Sequence, residues 1–108
     1  MGSKKLEGSI LQIDKLRSTE LDQLFDAILS LESREECYQL FDDLATMNEI
    51  SSLTQRFQVA KLLTEGHTYN HIKEETNAST ATISRVRRCI DYGSDGYKIV
   101  LARMLGKK

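Results

Sequence analysis

From Ser79 to Arg88 the chain reads Ser-Thr-Ala-Thr-Ile-Ser-Arg-Val-Arg-Arg, so short hydroxyl and methyl side chains lead into three arginines. On a helix, Ile83, Val86 and Ile90 fall at i, i+3 and i+7 and share one face. The other side then presents Thr80, Ala81, Thr82, Ser84, Arg85 and Arg88. Side chains this short let a helix backbone come close to a duplex. Their hydroxyls can reach phosphate oxygens or base edges, and their methyl groups can meet thymine methyls. Arginine neutralises phosphate, and the free amides of a helix N-terminus add to that. Such a constellation can recognise double-stranded DNA.

To serve that purpose the helix must be pinned by a partner, and the preceding residues supply one. Thr68 is placed to cap a short helix whose inward residue is Ile72. Asn77 is the non-glycine type best able to take a left-handed turn, and Ser79 caps the helix that follows. Residues 68–88 therefore have the layout of a helix-turn-helix, in which the second helix enters the major groove. Two positions depart from the common pattern: Lys73 stands where alanine is usual at the helix contact, and Asn77 where glycine is commoner.

Further helices surround this hairpin. Thr19 to Leu31 places Leu21, Leu24, Phe25, Ile28 and Leu29 on one stripe, capped by Ser18 or Thr19. Ser33-Arg34-Glu35-Glu36 and Thr46-Met47-Asn48-Glu49 both have the form of a capping box. The first opens a helix carrying Cys37, Leu40, Phe41 and Leu44. The second opens a longer helix with Ile50, Leu53, Phe57, Ala60 and Leu63 on one side, ended by Gly66. After a turn at residues 92–96, Ser94-Asp95 can cap a last helix with Tyr97, Val100, Leu101 and Met104. With 108 residues and no proline, the chain is expected to be all-α. Residues 10–108 are expected to form a single domain, after a disordered lead or expression remnant at 1–9. A domain of this size is often completed by a second subunit.

Charge is divided along the chain. Residues 1–52 carry 5 basic and 11 acidic side chains, whereas residues 53–108 carry 10 basic and 5 acidic ones. The basic half could face a polyanion while the acidic half faces away. Cys37 and Cys89 lie far apart without a zinc-type spacing, and they read as small packing residues in a reducing cytoplasm. No apolar run approaches a membrane span, and no signal peptide is evident.

The residues also resemble the tryptophan repressor superfamily, and more closely its YerC/YecD-type branch of small bacterial proteins. The superfamily likeness runs from Asn48-Glu49-Ile50 through Arg56 and Leu62-Leu63-Thr64-Glu65-Gly66 to Ala81-Thr82-Ile83-Ser84-Arg85. The branch likeness adds Gln12-Ile13-Asp14-Lys15-Leu16-Arg17, Glu20-Leu21-Asp22-Gln23-Leu24-Phe25, Glu36-Cys37-Tyr38 and Phe41-Asp42-Asp43-Leu44. The resemblance implies an intertwined all-helical homodimer that controls transcription, acting as a repressor at the bacterial nucleoid. It assigns DNA contacts to Asn70, Lys73, Thr80, Ala81, Thr82 and Ser84, to which the residue chemistry adds Ser79, Arg87 and Arg88. It also aligns Arg56 and Arg85 with the two arginines that hold the indole ring of a corepressor. Here Val86 follows Arg85 where tryptophan-responsive members have glycine, and Cys89 replaces a serine. The valine would take up space beside the ring, which argues against tryptophan as the ligand. The two arginines are left to an unknown small effector, another anion or the support of the core, and no cofactor is expected.

Two other function classes remain. A helical protein-interaction module could use the same hairpin without DNA. An enzyme is disfavoured: His67 and His71 have ligand spacing but no fixed third ligand, and there is no phosphate loop or nucleophile with a base. No catalytic or metal-binding residue is expected.

Overall fold

The computed structural model describes residues 11–106. The expectation for residues 1–9 lies outside them. After a short 3-10 turn at Gln12–Leu16 come six helices: α1 (Thr19–Leu29), α2 (Arg34–Leu44), α3 (Met47–Thr64), α4 (Tyr69–Thr76), α5 (Thr80–Tyr92) and α6 (Gly96–Gly106). No strand occurs among the described residues. They fall into two compact units, one ending at Leu44 and the other beginning at Ala45.

Helix starts follow from local chemistry. The Ser18 hydroxyl accepts the Leu21 N–H at 3.0 Å, Thr68 accepts from His71 at 3.1 Å, and Ser79 accepts from Thr82 at 3.1 Å. At α3 the capping box is complete: Thr46 accepts the Glu49 N–H at 3.1 Å, and the Glu49 carboxylate accepts the Thr46 N–H at 2.9 Å. At α2 the box is displaced. Ser33 does cap Glu36, but the Glu36 carboxylate takes the N–H of Glu32, at 2.8 Å. The end of α3 is a Schellman turn, with the Gly66 N–H on Leu63 O, the His67 N–H on Leu62 O, and Gly66 at φ 92°.

Several expectations need correction. The first helix stops at Leu29: the Leu31 N–H bonds Ile28 O, three residues back instead of four, and the Ser30 hydroxyl donates to Ala27 O at 2.7 Å. Val59, left out of the predicted stripe, is fully buried, whereas Leu53 within that stripe is 50% exposed. On α6 only Leu101 is buried, and Val100 and Met104 face outward. Cys37 and Cys89 are exposed, so neither packs within the chain's own core. Each sits on a helix side that the chain itself does not cover.

In the second unit the core consists of Val59, Ala60, Leu63, Ile72, Ala78, Ile83, Val86 and Leu101, with Phe57, Leu62, Ile90 and Tyr97 packed around it. α3 packs on α4, α5 and α6, and α5 also packs on α4 and α6. In the first unit no described residue is buried, although α1 and α2 both carry apolar stripes.

Gly93 joins α5 to α6. A β-carbon there would stand 2.3 Å from the carbonyl oxygen of Cys89, a separation no side chain tolerates. Gly93→Ala is therefore expected to lower stability by about 2 kcal/mol, because the end of α5 must be rebuilt. Thermal unfolding followed by circular dichroism measures this, and a melting point within about 2 °C of wild type would show that the junction relaxes freely.

Candidate nucleic-acid interface

α4 and α5 form the hairpin, and the residues between them fix its angle. Asn77 takes φ 61° and its N–H reaches Lys73 O at 2.8 Å, closing α4 in a left-handed turn. The Thr76 hydroxyl donates to Ile72 O at 2.7 Å and accepts the Ala78 N–H at 3.1 Å. From α3, the Gln55 amide donates to Thr76 O at 3.0 Å. Ala78 is buried at 3% exposure and supplies the small residue of the turn, while Lys73 points to solvent. Sequence reasoning missed Gln55, Thr76 and Ala78. Their partners lie far along the chain or form only once the turn exists.

The inward residues are placed as expected. Ile72 and Ile83 are 0% exposed and Val86 1%, and Ile90 packs half-buried beside them. Pinned in this way, α5 turns its other side outward. Thr80, Ala81, Arg85 and Arg88 are exposed, as are Ser79 at its start and Asn70 and Lys73 on α4. Thr82, Ser84 and Arg87 are half-buried. Ser79 is more committed than its residue type suggests, since its oxygen caps Thr82 and its hydroxyl donates to Thr82 Oγ1 at 3.1 Å. Thr82 keeps its own hydroxyl proton to donate. Arg87 lies 3.8 Å from Asp91, a surface pair too exposed to hold it firmly.

Away from this face, Arg56 on α3 is half-buried and donates to Ser52 Oγ at 3.4 Å. Burial pushes the Tyr97 phenol above its ordinary value; Arg56 and Arg85 pull it down, and Cys89 adds to the rise. The rings of His67 and His71 stack with centroids 4.5 Å apart, and His67 Nε2 lies 3.7 Å from Glu65. Among the described residues no group of three or more His, Cys, Asp or Glu side chains could hold a metal ion. None of their helices is long and apolar enough to cross a membrane.

Comparison with known proteins bears on this hairpin directly. The family described as Trp repressor protein matches residues 19–105, from the first cap to the last helix. The chain belongs to that family. It is 63% identical over 94 residues to the uncharacterized protein YerC of Bacillus subtilis, a match spanning 87% of this chain and 90% of that protein. Among solved structures it is similar to a candidate Trp repressor from Staphylococcus aureus, with 59% identity and a TM-score of 0.85 over 91% of this chain and 98% of that one. A TrpR like protein from Eubacterium eligens gives 53% identity and a TM-score of 0.83 over 88% and 98%. The expected tryptophan-repressor-like, all-helical fold and its YerC-type branch are thereby established.

Proposed function

We propose that this member of the Trp repressor family is a sequence-specific DNA-binding regulator, working as a homodimer and repressing transcription on chromosomal DNA in a bacterial cytoplasm. The observation that carries this reading is the burial contrast along α5: Ile83 and Val86 are locked in the core while Thr80, Ala81, Arg85 and Arg88 stand free. In this reading Thr80, Ala81, Thr82 and Ser84 meet base edges, and Asn70, Lys73, Ser79, Arg87 and Arg88 meet phosphates.

The homodimer is supported by the first unit. Phe25 is 44% exposed, Leu29 80%, Tyr38 69% and Leu44 52%, and two 11-residue helices cannot hold such stripes in water by themselves. A second copy presenting the same stripes is the simplest cover.

The test is binding to genomic fragments over a range of salt. Wild type is expected to show affinity that falls steeply with salt, and Arg87→Ala/Arg88→Ala to bind about tenfold more weakly with a shallower slope, by roughly 2 in log–log terms. Equal, salt-insensitive binding by both proteins would overturn the mechanism. A single stoichiometric protein partner with no DNA bound would favour the helical interaction module instead.

A further inference from the structure

The hairpin is tied to the body of the protein by a polar contact as well as by its core. On α3, Gln55 stands one turn before the fully buried Val59, so its stem follows the packed row, and the residue is half-buried. Its amide donates to the carbonyl oxygen of Thr76 at 3.0 Å, across 21 positions of the chain. Only the nitrogen end of an amide can face a carbonyl, so the side chain has one usable orientation. Its target belongs to the last residue of α4, where a helix leaves carbonyls without partners of its own. The Thr76 hydroxyl meanwhile donates to Ile72 O at 2.7 Å and accepts the Ala78 N–H at 3.1 Å. One residue further on, Ser79 caps α5. Gln55 therefore holds the residue from which the start of α5 hangs.

We infer that Gln55 is a positioning residue for DNA recognition: through Thr76 it fixes where α5 begins, and with it the tilt at which Thr80, Ala81 and Thr82 are presented. The apolar contacts of Ile72, Ile83 and Val86 resist separation but have little directional preference, whereas a hydrogen bond weakens steeply as its distance and angle change. Base readout needs atoms placed to within a fraction of an ångström, and attraction to phosphate does not. Loss of the tie therefore reaches sequence discrimination before it reaches the general affinity for a polyanion. The consequence for DNA rests on the function proposed above, whereas the tie itself does not.

The experiment compares a duplex selected by the wild-type protein from random sequences with an unrelated duplex of the same length. Gln55→Leu keeps a stem and removes the donor. It is expected to lose about tenfold in affinity for the selected duplex and less than about twofold for the unrelated one, with a Tm lowered by about 5 °C or less. Gln55→Glu gives a second readout that needs no DNA. A carboxylate cannot donate to Thr76 O, so its charged form is disfavoured in the folded protein and its pKa is raised. The stability it contributes is present below its ordinary pKa of about 4.3 and is lost as pH rises through the folded value. The groove beside Gln55 is lined from α3, the end of α4 and the turn, and its charged groups are Lys61, paired with Glu65 at 3.2 Å, and Glu75. Gln55→Glu should melt about 5 °C below wild type at about pH 7.5 and within about 2 °C of it at about pH 4, while the deficit of Gln55→Leu stays the same at both.

If Gln55→Leu does not fold, Gln55→Asn, whose amide falls one methylene short of Thr76, supports the same comparison. Equal losses on both duplexes, or none on either, would overturn the positioning role, and a deficit in Gln55→Glu that ignores pH would overturn the tie. Recovery of Gln55→Glu at low pH in a protein that binds no DNA would support the tie and overturn the regulator.

Discussion

Ile83→Ala is expected to destabilise the protein by about 3 kcal/mol and to lower its Tm by about 15 °C. Ile83 is fully buried where α5 meets the shared core, so truncation removes packed methyl groups and leaves a hole among Val59, Ile72 and Val86. Better helix propensity for alanine returns only a few tenths of a kcal/mol. Three residues earlier, Thr80→Ala should do the reverse. Its side chain is exposed, so Tm should move by no more than about 3 °C, while DNA affinity should drop about tenfold through a lost groove contact. Differential scanning calorimetry and fluorescence anisotropy on one DNA fragment measure the two effects. If both substitutions changed stability alike, the two sides of α5 would not have the separate roles assigned to them.

Phe25→Glu is expected to give a monomer at micromolar concentration and to weaken DNA binding by about 10²–10⁴-fold. Phe25 lies in the α1 stripe, 44% exposed in the single chain, and a carboxylate there would be buried without a partner if a second copy covers it. Binding falls so far because two linked reading heads gain the effective concentration of the second site, which a monomer forfeits. Leu29→Glu, at a residue 80% exposed, should behave alike. Light scattering on both variants decides the matter. An unchanged mass would mean that the stripes of α1 are covered by something other than another copy of this chain.

Much of the architecture was legible because its signals are local. A cap needs an oxygen at one position and an N–H three residues on, so Ser18, Thr46, Thr68 and Ser79 could be found without knowing the fold. Gly66 and Asn77 were legible for a similar reason, since few residue types accept a positive φ. Asp95, at φ 69°, was read only as part of a cap, although aspartate shares with asparagine a tolerance of the left-handed region. Val59 escaped because a stripe assigned from Ile50 and Leu53 drifts off the face that the core selects. Gln55 was invisible in its role because that role depends on packing between distant segments, whereas Tyr97 was found on the α6 stripe and does pack on the core. The cysteines were misplaced because residue type gives the tendency to be buried but does not say which helix face finds cover within one chain.

The arrangement of the core also bears on synthesis. The buried cluster draws on α3, α4, the turn before α5, α5 itself and Leu101 of α6. As the polypeptide leaves the ribosome, α3 and its apolar row emerge well before Leu101 can close over them. The nascent chain must therefore shelter an open core until the last described helix is delivered. An arrest between α3 and α6 releases a fragment with both the stripes of α1 and the unsealed face of α3 exposed to aggregation.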